Sequence, residues 1–298
     1  MSKLKRLVFF GNERLATGVS TDVPALRALV KAGYEVKLVV ASNSEGVSRQ
    51  RRGLEIVEVA HAYHIPVVIP DNLEDIAERL AKTEAAAGIL VAFGKLIPQT
   101  IIDSFPRGII NIHPSLLPKY RGPTPVESAI LDRVNETGVS LMSLTAKMDA
   151  GPVYLQQKVE LNGRETKPEL AKKLLNEGVK LVSENLAAIL DGSLEPIPQD
   201  PAEATYTKLL DKKDGWIDFD ESAEVIERKV RAFLGWPKTR AKVHGQEIVI
   251  TKAIVAKDQK DGHLVIKAKP GWLEIKELIG PSGRTMSGSD FIRGYKKV

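Results

Sequence analysis

The sequence predicts an α/β fold: a mostly parallel sheet with helices on both faces, followed by a small OB-like antiparallel β-barrel. Three observations predict it. Over the first two-thirds of the chain, short apolar runs alternate with amphipathic stretches. A proline-bearing segment, Glu195 to Ala204 with Pro196, Pro198 and Pro201, then interrupts that pattern. Beyond it, short alternating segments follow one another closely, separated by glycine-containing turns.

The elements follow in order. Strand-like runs are Leu7–Phe10, Val36–Val40, Val67–Ile69, Ile89–Ala92 and Ile109–His113. Helix-like stretches lie between them at Pro24–Lys31, Leu54–Tyr63, Leu73–Lys82 and Pro98–Ser104. Thr124-Pro125-Val126-Glu127 has the spacing of a capping box, with proline at the first helical position. Val139–Leu144 is a further strand-like run. Thr166-Lys167-Pro168-Glu169 repeats the capping spacing and opens a long helix to about Leu190, where Asp191-Gly192 stops it. The expected division is residues 1–192, a linker at 193–206, and a second domain at 207–298. In that second domain Ala223–Phe233 reads as one amphipathic helix ended by Gly235-Trp236-Pro237. Strand-like segments at Arg240–Val243, Glu247–Ile250, Leu264–Ala268 and Trp272–Leu278 follow, with turns at His244-Gly245, Asp261-Gly262 and Pro270-Gly271.

The 298 residues are 43% apolar and 27% charged, a composition that suits a soluble globular protein of two domains. No apolar run has the length of a membrane span. The opening Met-Ser-Lys-Leu-Lys-Arg leads into a short strand without the apolar core of a signal peptide. There is no cysteine, which excludes disulfides and thiolate metal sites. The expected location is cytoplasmic. Net charge is +5, and from Thr207 onward 19 Lys and Arg stand against 13 Asp and Glu. The positive surplus therefore lies in the last third, which suits a polyanion such as nucleic acid as well as a solvated basic surface.

The chemistry concentrates between Asn111 and Gly122, where the chain reads Asn-Ile-His-Pro-Ser-Leu-Leu-Pro-Lys-Tyr-Arg-Gly. Asn111 and His113 are two apart on a strand, so their side chains point the same way. Pro114 ends the strand, and Pro118 stiffens the loop behind it. A donor amide beside a titratable ring at a strand's carboxyl end can grip a carbonyl. Either residue alone is ordinarily a satisfied polar group in a turn. Asp149 follows the 139–144 strand; if the two strands are neighbours, its carboxylate stands at the same sheet edge and can orient the imidazole and hold its positive form.

Other motifs are weak. Gly11-Asn12-Glu13-Arg14-Leu15-Ala16 does not fit the dinucleotide glycine pattern, and no P-loop is present. His61 and His64 with Glu58 read as a helix surface, so no metal is expected. Ser115 lacks the nucleophile elbow of a serine hydrolase. Arg49-Gln50-Arg51-Arg52 is a short basic run, usually solvated, whose sharper reading is phosphate contact.

The Asn111–Gly122 run, taken with Met148-Asp149-Ala150-Gly151, resembles the folate-dependent formyltransferase superfamily. Lys213-Asp214-Gly215-Trp216-Ile217-Asp218-Phe219 and Val230-Arg231-Ala232-Phe233-Leu234-Gly235-Trp236-Pro237 narrow the likeness to the tRNA formyltransferases. That resemblance implies a Rossmann-like catalytic domain in residues 1–192 and a carboxyl-terminal barrel. It implies 10-formyltetrahydrofolate as co-substrate, no metal, and the amine of initiator methionyl-tRNA as acceptor. By it, Asn111, His113 and Asp149 are catalytic. Ser115, Leu116, Leu117 and Pro118 form the folate loop, and Val91, Phe93, Gly94 and Leu96 match the strand-end segment that meets the pterin. Departures are Gly11-Asn12-Glu13-Arg14 in place of the usual Gly-Thr-Pro, Pro114 in place of Gly, and Pro123-Thr124 in place of Ala-Ala. An N-formyltransferase for a nucleotide-linked amino sugar is the alternative, since such enzymes share the folate site. A noncatalytic RNA-binding protein is a third reading, against which the intact Asn, His and Asp set speaks. The expected state is a monomer off the membrane.

Overall fold

The computed structural model describes residues 3–42 and 54–295. Arg49, Arg51 and Arg52 lie outside the described residues. The chain packs as two compact units, Met1–Pro125 with Glu136–Glu160 and Ala171–Lys208, and Val126–Asn135 with Leu161–Leu170 and Leu209–Val298.

The first unit is built on a seven-stranded sheet of β1 (Arg6–Gly11), β2 (Glu35–Val40), β3 (Val67–Val68), β4 (Ala87–Val91), β5 (Ile109–His113), β6 (Glu136–Ser143) and β7 (Val153–Glu160). Its order is β3-β2-β1-β4-β5-β6-β7. The pairings from β3 to β5 are parallel, and those of β5 with β6 and β6 with β7 are antiparallel. The sheet is therefore mostly parallel with an antiparallel flank. Central strands are apolar on both faces, since helices cover a parallel sheet on both sides; β1 and β4 are almost wholly buried. The strand order reverses between β1 and β4, a topological switch point where a crevice opens beyond the strands' carboxyl ends.

Expected helices appear as α1 (Pro24–Lys31), α2 (Glu55–Ala62), α3 (Ala77–Ala81) and α4 (Gln99–Ile102). Only half of the expected 73–82 stretch is α-helix. Leu73–Ile76 is a 3-10 turn, entered where the Asn72 side chain accepts from the Glu74 N–H. A further helix, α5 (Pro125–Leu131), precedes β6. Its first turn carries the Thr124-Pro125-Val126-Glu127 spacing read from the sequence. Glu127 lies 3.5 Å from the buried Lys167 ammonium, and the Thr124 hydroxyl donates to the Lys208 carbonyl. Burial pushes the Glu127 carboxyl up and the Lys167 amine down. At the second such spacing a capping box forms: Glu169 accepts from the Thr166 N–H at 2.9 Å and its hydroxyl at 2.7 Å. It opens α6 (Lys167–Asp191), whose Gly178 packs against Ile112 of β5.

The second unit holds α7 (Ala223–Ala232), capped by the Ser222 hydroxyl on the Val225 N–H. A five-stranded antiparallel sheet accompanies it: β8 (Thr239–Val243), β9 (Gln246–Ala256), β10 (Val265–Lys267), β11 (Trp272–Ile279) and β12 (Thr285–Ser287). The β8–β9 hairpin turns through His244 and Gly245, both at positive φ, as a two-residue hairpin of this twist requires. Ile226 and Val230 of α7 join Ile248, Ile250, Leu273, Ile275 and Phe291 in one apolar core. A short helix, α8 (Gly288–Gly294), carries Phe291. This is the small barrel-like element expected. Among the described residues no helix is long and apolar enough to cross a membrane.

Candidate active site

Asn111 sits on β5, paired with Leu90 of β4 on one side and Met142 of β6 on the other, so it stands one strand away from the switch point. The residue is 6% exposed, and its side chain makes no hydrogen bond among the described residues, but its amide is not sealed from the surface. His113, two residues on, is equally buried. Its Nε2 lies 3.0 Å from the Tyr120 carbonyl oxygen. A carbonyl only accepts, which assigns a proton to Nε2. The other ring nitrogen, Nδ1, faces Asp149 Oδ1 at 3.6 Å. That is too long for a hydrogen bond, and close enough for an ion pair or a bridging proton carrier.

Asp149 meets His113, but by another route than strand adjacency alone. β6 runs antiparallel to β5, so its end at Ser143 lies beside Ile110 rather than beside His113. The segment after β6 must turn back, and Asp149 holds a left-handed φ of 47° within it. Two neighbours fix the residue there. Its Oδ2 accepts from the Gly122 N–H at 2.7 Å, and its carbonyl accepts from Gln199 Nε2 at 2.8 Å. Gln199 also donates to the Gly151 carbonyl at 2.6 Å. Arg121 in turn donates to Gln199 Oε1 from Nε at 3.0 Å and Nη2 at 2.7 Å.

The loop after β5 is held from within. The Ser115 hydroxyl donates to the Lys119 carbonyl at 2.6 Å, and Ser115 is wholly buried. The Ser140 hydroxyl of β6 donates to the Ser115 carbonyl and accepts from the Leu117 N–H. Gln156 of β7 donates to the Leu117 carbonyl at 2.7 Å. Leu117-Pro118 is a cis peptide. Leu117 is buried, whereas Leu116 and Pro118 are partly exposed. Leu116 lies over Gly138, where a Cβ would stand 2.5 Å from its Cδ2.

At the end of β4, beside the switch point, Val91 and Phe93 are buried, and Phe93 meets Phe10 edge to face at 5.9 Å. Their carbonyls are taken by the Glu13 N–H and the Ser42 hydroxyl respectively. Gly94 and Leu96 are exposed, Leu96 by 72%. Asn12 ties this edge to β2 by donating to the Ser42 carbonyl at 2.7 Å. Glu13, fully buried, accepts from the Ala25 and Leu26 N–H groups at 2.7 Å each and so caps α1 from outside the helix. Burial pushes its carboxyl up to about 7, against the opposing pull of those N–H groups and of Arg27.

The structure thus brings His113 and Asp149 together, with Asn111 two residues from His113 on β5 and the 91–96 segment following the neighbouring β4. Sequence reasoning missed Gln199, Tyr120 and the Arg121 side chain as partners of the site, and missed Ser140 and Gln156 as the brace of the loop. Arg121-Gly122 stood in the motif itself; Gln199 lay in a segment read only as a linker.

Residues 21–186 match the family described as formyl transferase, and residues 209–296 match the formyl transferase carboxyl-terminal domain. A methionyl-tRNA formyltransferase of Chloroflexus aurantiacus is 36% identical over 307 residues, covering 97% of this chain and 96% of that protein. Among solved structures, HypX from Aquifex aeolicus superposes with a TM-score of 0.69 at 17% identity over 98% of this chain; the match spans about half of HypX, 49%. An N-formyltransferase from Helicobacter canadensis, in complex with folinic acid and dTDP-3-aminofucose, gives a TM-score of 0.67 at 20% identity over 90% of this chain and 97% of that one. At such identities the two structures speak for the fold alone.

Proposed function

The chain belongs to the formyl transferase family, and from that premise we propose that it moves a formyl group from 10-formyltetrahydrofolate to the amine of initiator methionyl-tRNA. The observation that supports the chemistry is the approach of the Asp149 carboxylate to the buried His113 imidazole at 3.6 Å, two residues along β5 from Asn111. The likeness to methionyl-tRNA formyltransferases extends through both units, which favours a tRNA acceptor over an amino sugar.

The bound folate supplies an electrophilic formyl carbon on an aromatic-flanked nitrogen. Everything else falls to the chain. The Asn111 amide, which makes no hydrogen bond among the described residues, donates to the formyl oxygen as it gains negative charge. His113 keeps Nε2–H on the Tyr120 carbonyl, so it acts through its field and through Nδ1 rather than by a direct Nε2 contact. Its ring stands on the same strand face as Asn111, two residues along β5. Asp149, facing Nδ1 at 3.6 Å, takes up the proton that the amine releases, directly or through one water; the bond from the formyl carbon to the folate nitrogen then breaks, and that proton passes to the departing nitrogen of tetrahydrofolate. An α-amine has a pKa near 8, so mild base assistance is enough.

The donor set fits the folate. Leu116 and Pro118 in the 115–118 loop, with Gly94 and Leu96 beyond β4, leave apolar surface for a ring system. Ser115 and Leu117 shape that loop from within, and Val91 and Phe93 anchor the other segment in the core. The chain works as a cytoplasmic monomer with catalysis in residues 1–192 and the basic carboxyl-terminal part, residues 207–298, turned to RNA.

The test is single-turnover formyl transfer to methionyl-tRNA by the wild type and by Asn111→Ala. The variant loses about 100-fold to 1000-fold in rate. Transfer by Asn111→Ala at the wild-type rate contradicts the mechanism.

A further inference from the structure

Gln199 and Arg121 form a clamp that no part of the mechanism above uses, and its geometry is aimed at Asp149. Gln199 Nε2 is shared between the carbonyls of Asp149 and Gly151, at 2.8 and 2.6 Å. Both protons of that amide are thus spent on one short turn. Its Oε1 is held by two guanidinium nitrogens of Arg121, so the amide cannot flip without losing four contacts. Arg121 itself is 4% exposed. Among the described residues it pairs with no carboxylate; its third contact is Nη1 to the Tyr206 hydroxyl at 3.1 Å, with the ring 5.8 Å from the guanidinium carbon. A buried cation with neutral partners is expensive to keep. Here its charge is directed through the Gln199 amide dipole toward the turn that carries Asp149.

The backbone beside it is fixed as well. Residues 205–207 run along 120–122: Arg121 N–H donates to Thr205 and Thr207 N–H to Arg121, at 2.9 and 2.8 Å. The next N–H, of Gly122, is the one that grips the Asp149 carboxylate. Gly122 has φ of 110°, and a Cβ there would stand 2.8 Å from Thr207 Oγ1. Asp149 is therefore held by its side chain from Gly122 and by its carbonyl from Gln199, and both holds trace to Arg121. The left-handed φ of Asp149 is uncommon for a residue with a side chain and persists only where neighbours enforce it.

We infer that Gln199 and Arg121 act in series as positioning residues, setting the Asp149 carboxylate against His113 Nδ1 from a segment outside the catalytic motif. This rests on the formyl-transfer reading above. Neither residue touches the reacting atoms. A carboxylate displaced by about 1 Å loses on the order of 100-fold in rate while substrate binding survives.

The experiment uses the full chain with 10-formyltetrahydrofolate and methionyl-tRNA. Gln199→Glu keeps the shape and the acceptor for Arg121 but removes both donors to the turn. It is expected to lower kcat by about 10-fold to 100-fold, with each KM within about 3-fold and the thermal midpoint close to wild type. Arg121→Lys removes the fork from Gln199 and is expected to act the same way. Because the two act in series, the double variant falls no further than the weaker single variant, rather than by the product of the two losses. Wild-type kcat in Gln199→Glu, a loss confined to KM, or multiplicative losses in the double variant overturns the inference while the wild type still transfers formyl. A wild type that formylates no amine defeats the underlying reading, and this inference with it.

Discussion

Asn111 and His113 point to one place because strand side chains repeat every two residues, and that period is legible in any run of β-branched residues. Gln199 is the opposite case. Nothing local marks a glutamine between Pro198 and Asp200 as the grip on Asp149; only the folded path of the segment does. Glu13 is likewise silent in the sequence, since it caps α1 across eleven intervening residues without any capping motif. Its environment makes a pH prediction. The carboxyl goes from an ordinary 4.5 to about 7 on folding, chiefly by burial. The folded chain thus binds the proton more tightly than the unfolded one. The stability linked to Glu13 is complete below about pH 4.5 and is lost as pH rises through about 7, a change on the order of 3 kcal/mol. Glu13→Gln has no such titration. Urea unfolding at pH 5 and pH 8 is expected to show the variant gaining on the wild type by up to about that amount at the higher pH. Parallel stability profiles for the two proteins contradict this account of Glu13.

Elements were legible where apolar pattern decides them. β1, β2, β4 and β5 lie within a residue or two of the apolar runs that announce them, because both faces are buried. β7 was not foreseen: its central Gln156, Gln157 and Lys158 are exposed at the sheet's edge, and no apolar alternation marks them. The 3-10 turn at Leu73–Ile76 escaped for a related reason, since a side-chain hydrogen bond from Asn72 rather than periodicity sets it. The contact of α6 with β5 carries its own prediction. Gly178 costs its helix about 0.5–1 kcal/mol in propensity. It is required because a Cβ there would lie 2.4 Å from Ile112 Cγ2 and 3.2 Å from Val139 Cγ1. Ile112 is the residue between Asn111 and His113, on the opposite strand face. Gly178→Ala is therefore expected to lower the thermal midpoint and to reduce kcat by displacing β5, where a propensity argument alone predicts a gain. Calorimetry with a steady-state assay checks it, and a raised midpoint with full activity refutes it.

At the scale of the whole molecule, the α/β class, the order of the two folds and the place of Asn111 and His113 at a strand's carboxyl end were inferable from alternation and motif spacing, whereas the strand order was not. The antiparallel flank was not, because β6 has the apolar content of a parallel strand and nothing in it states direction. That flank matters for function: it sends the chain away from His113 and obliges the following turn to bring Asp149 back. The charge distribution bears on the acceptor. A surplus of Lys and Arg beyond Thr207 suits a polyanionic substrate, whose binding weakens as salt displaces the released counterions. The most direct test is a competition: the wild-type chain, 10-formyltetrahydrofolate, and equal concentrations of initiator methionyl-tRNA and a nucleotide-linked amino sugar. The predicted result is formylation of the methionyl amine, with a KM for tRNA that climbs steeply between about 50 and 200 mM salt. Formyl delivered to the amino sugar, with methionyl-tRNA left unmodified, contradicts it.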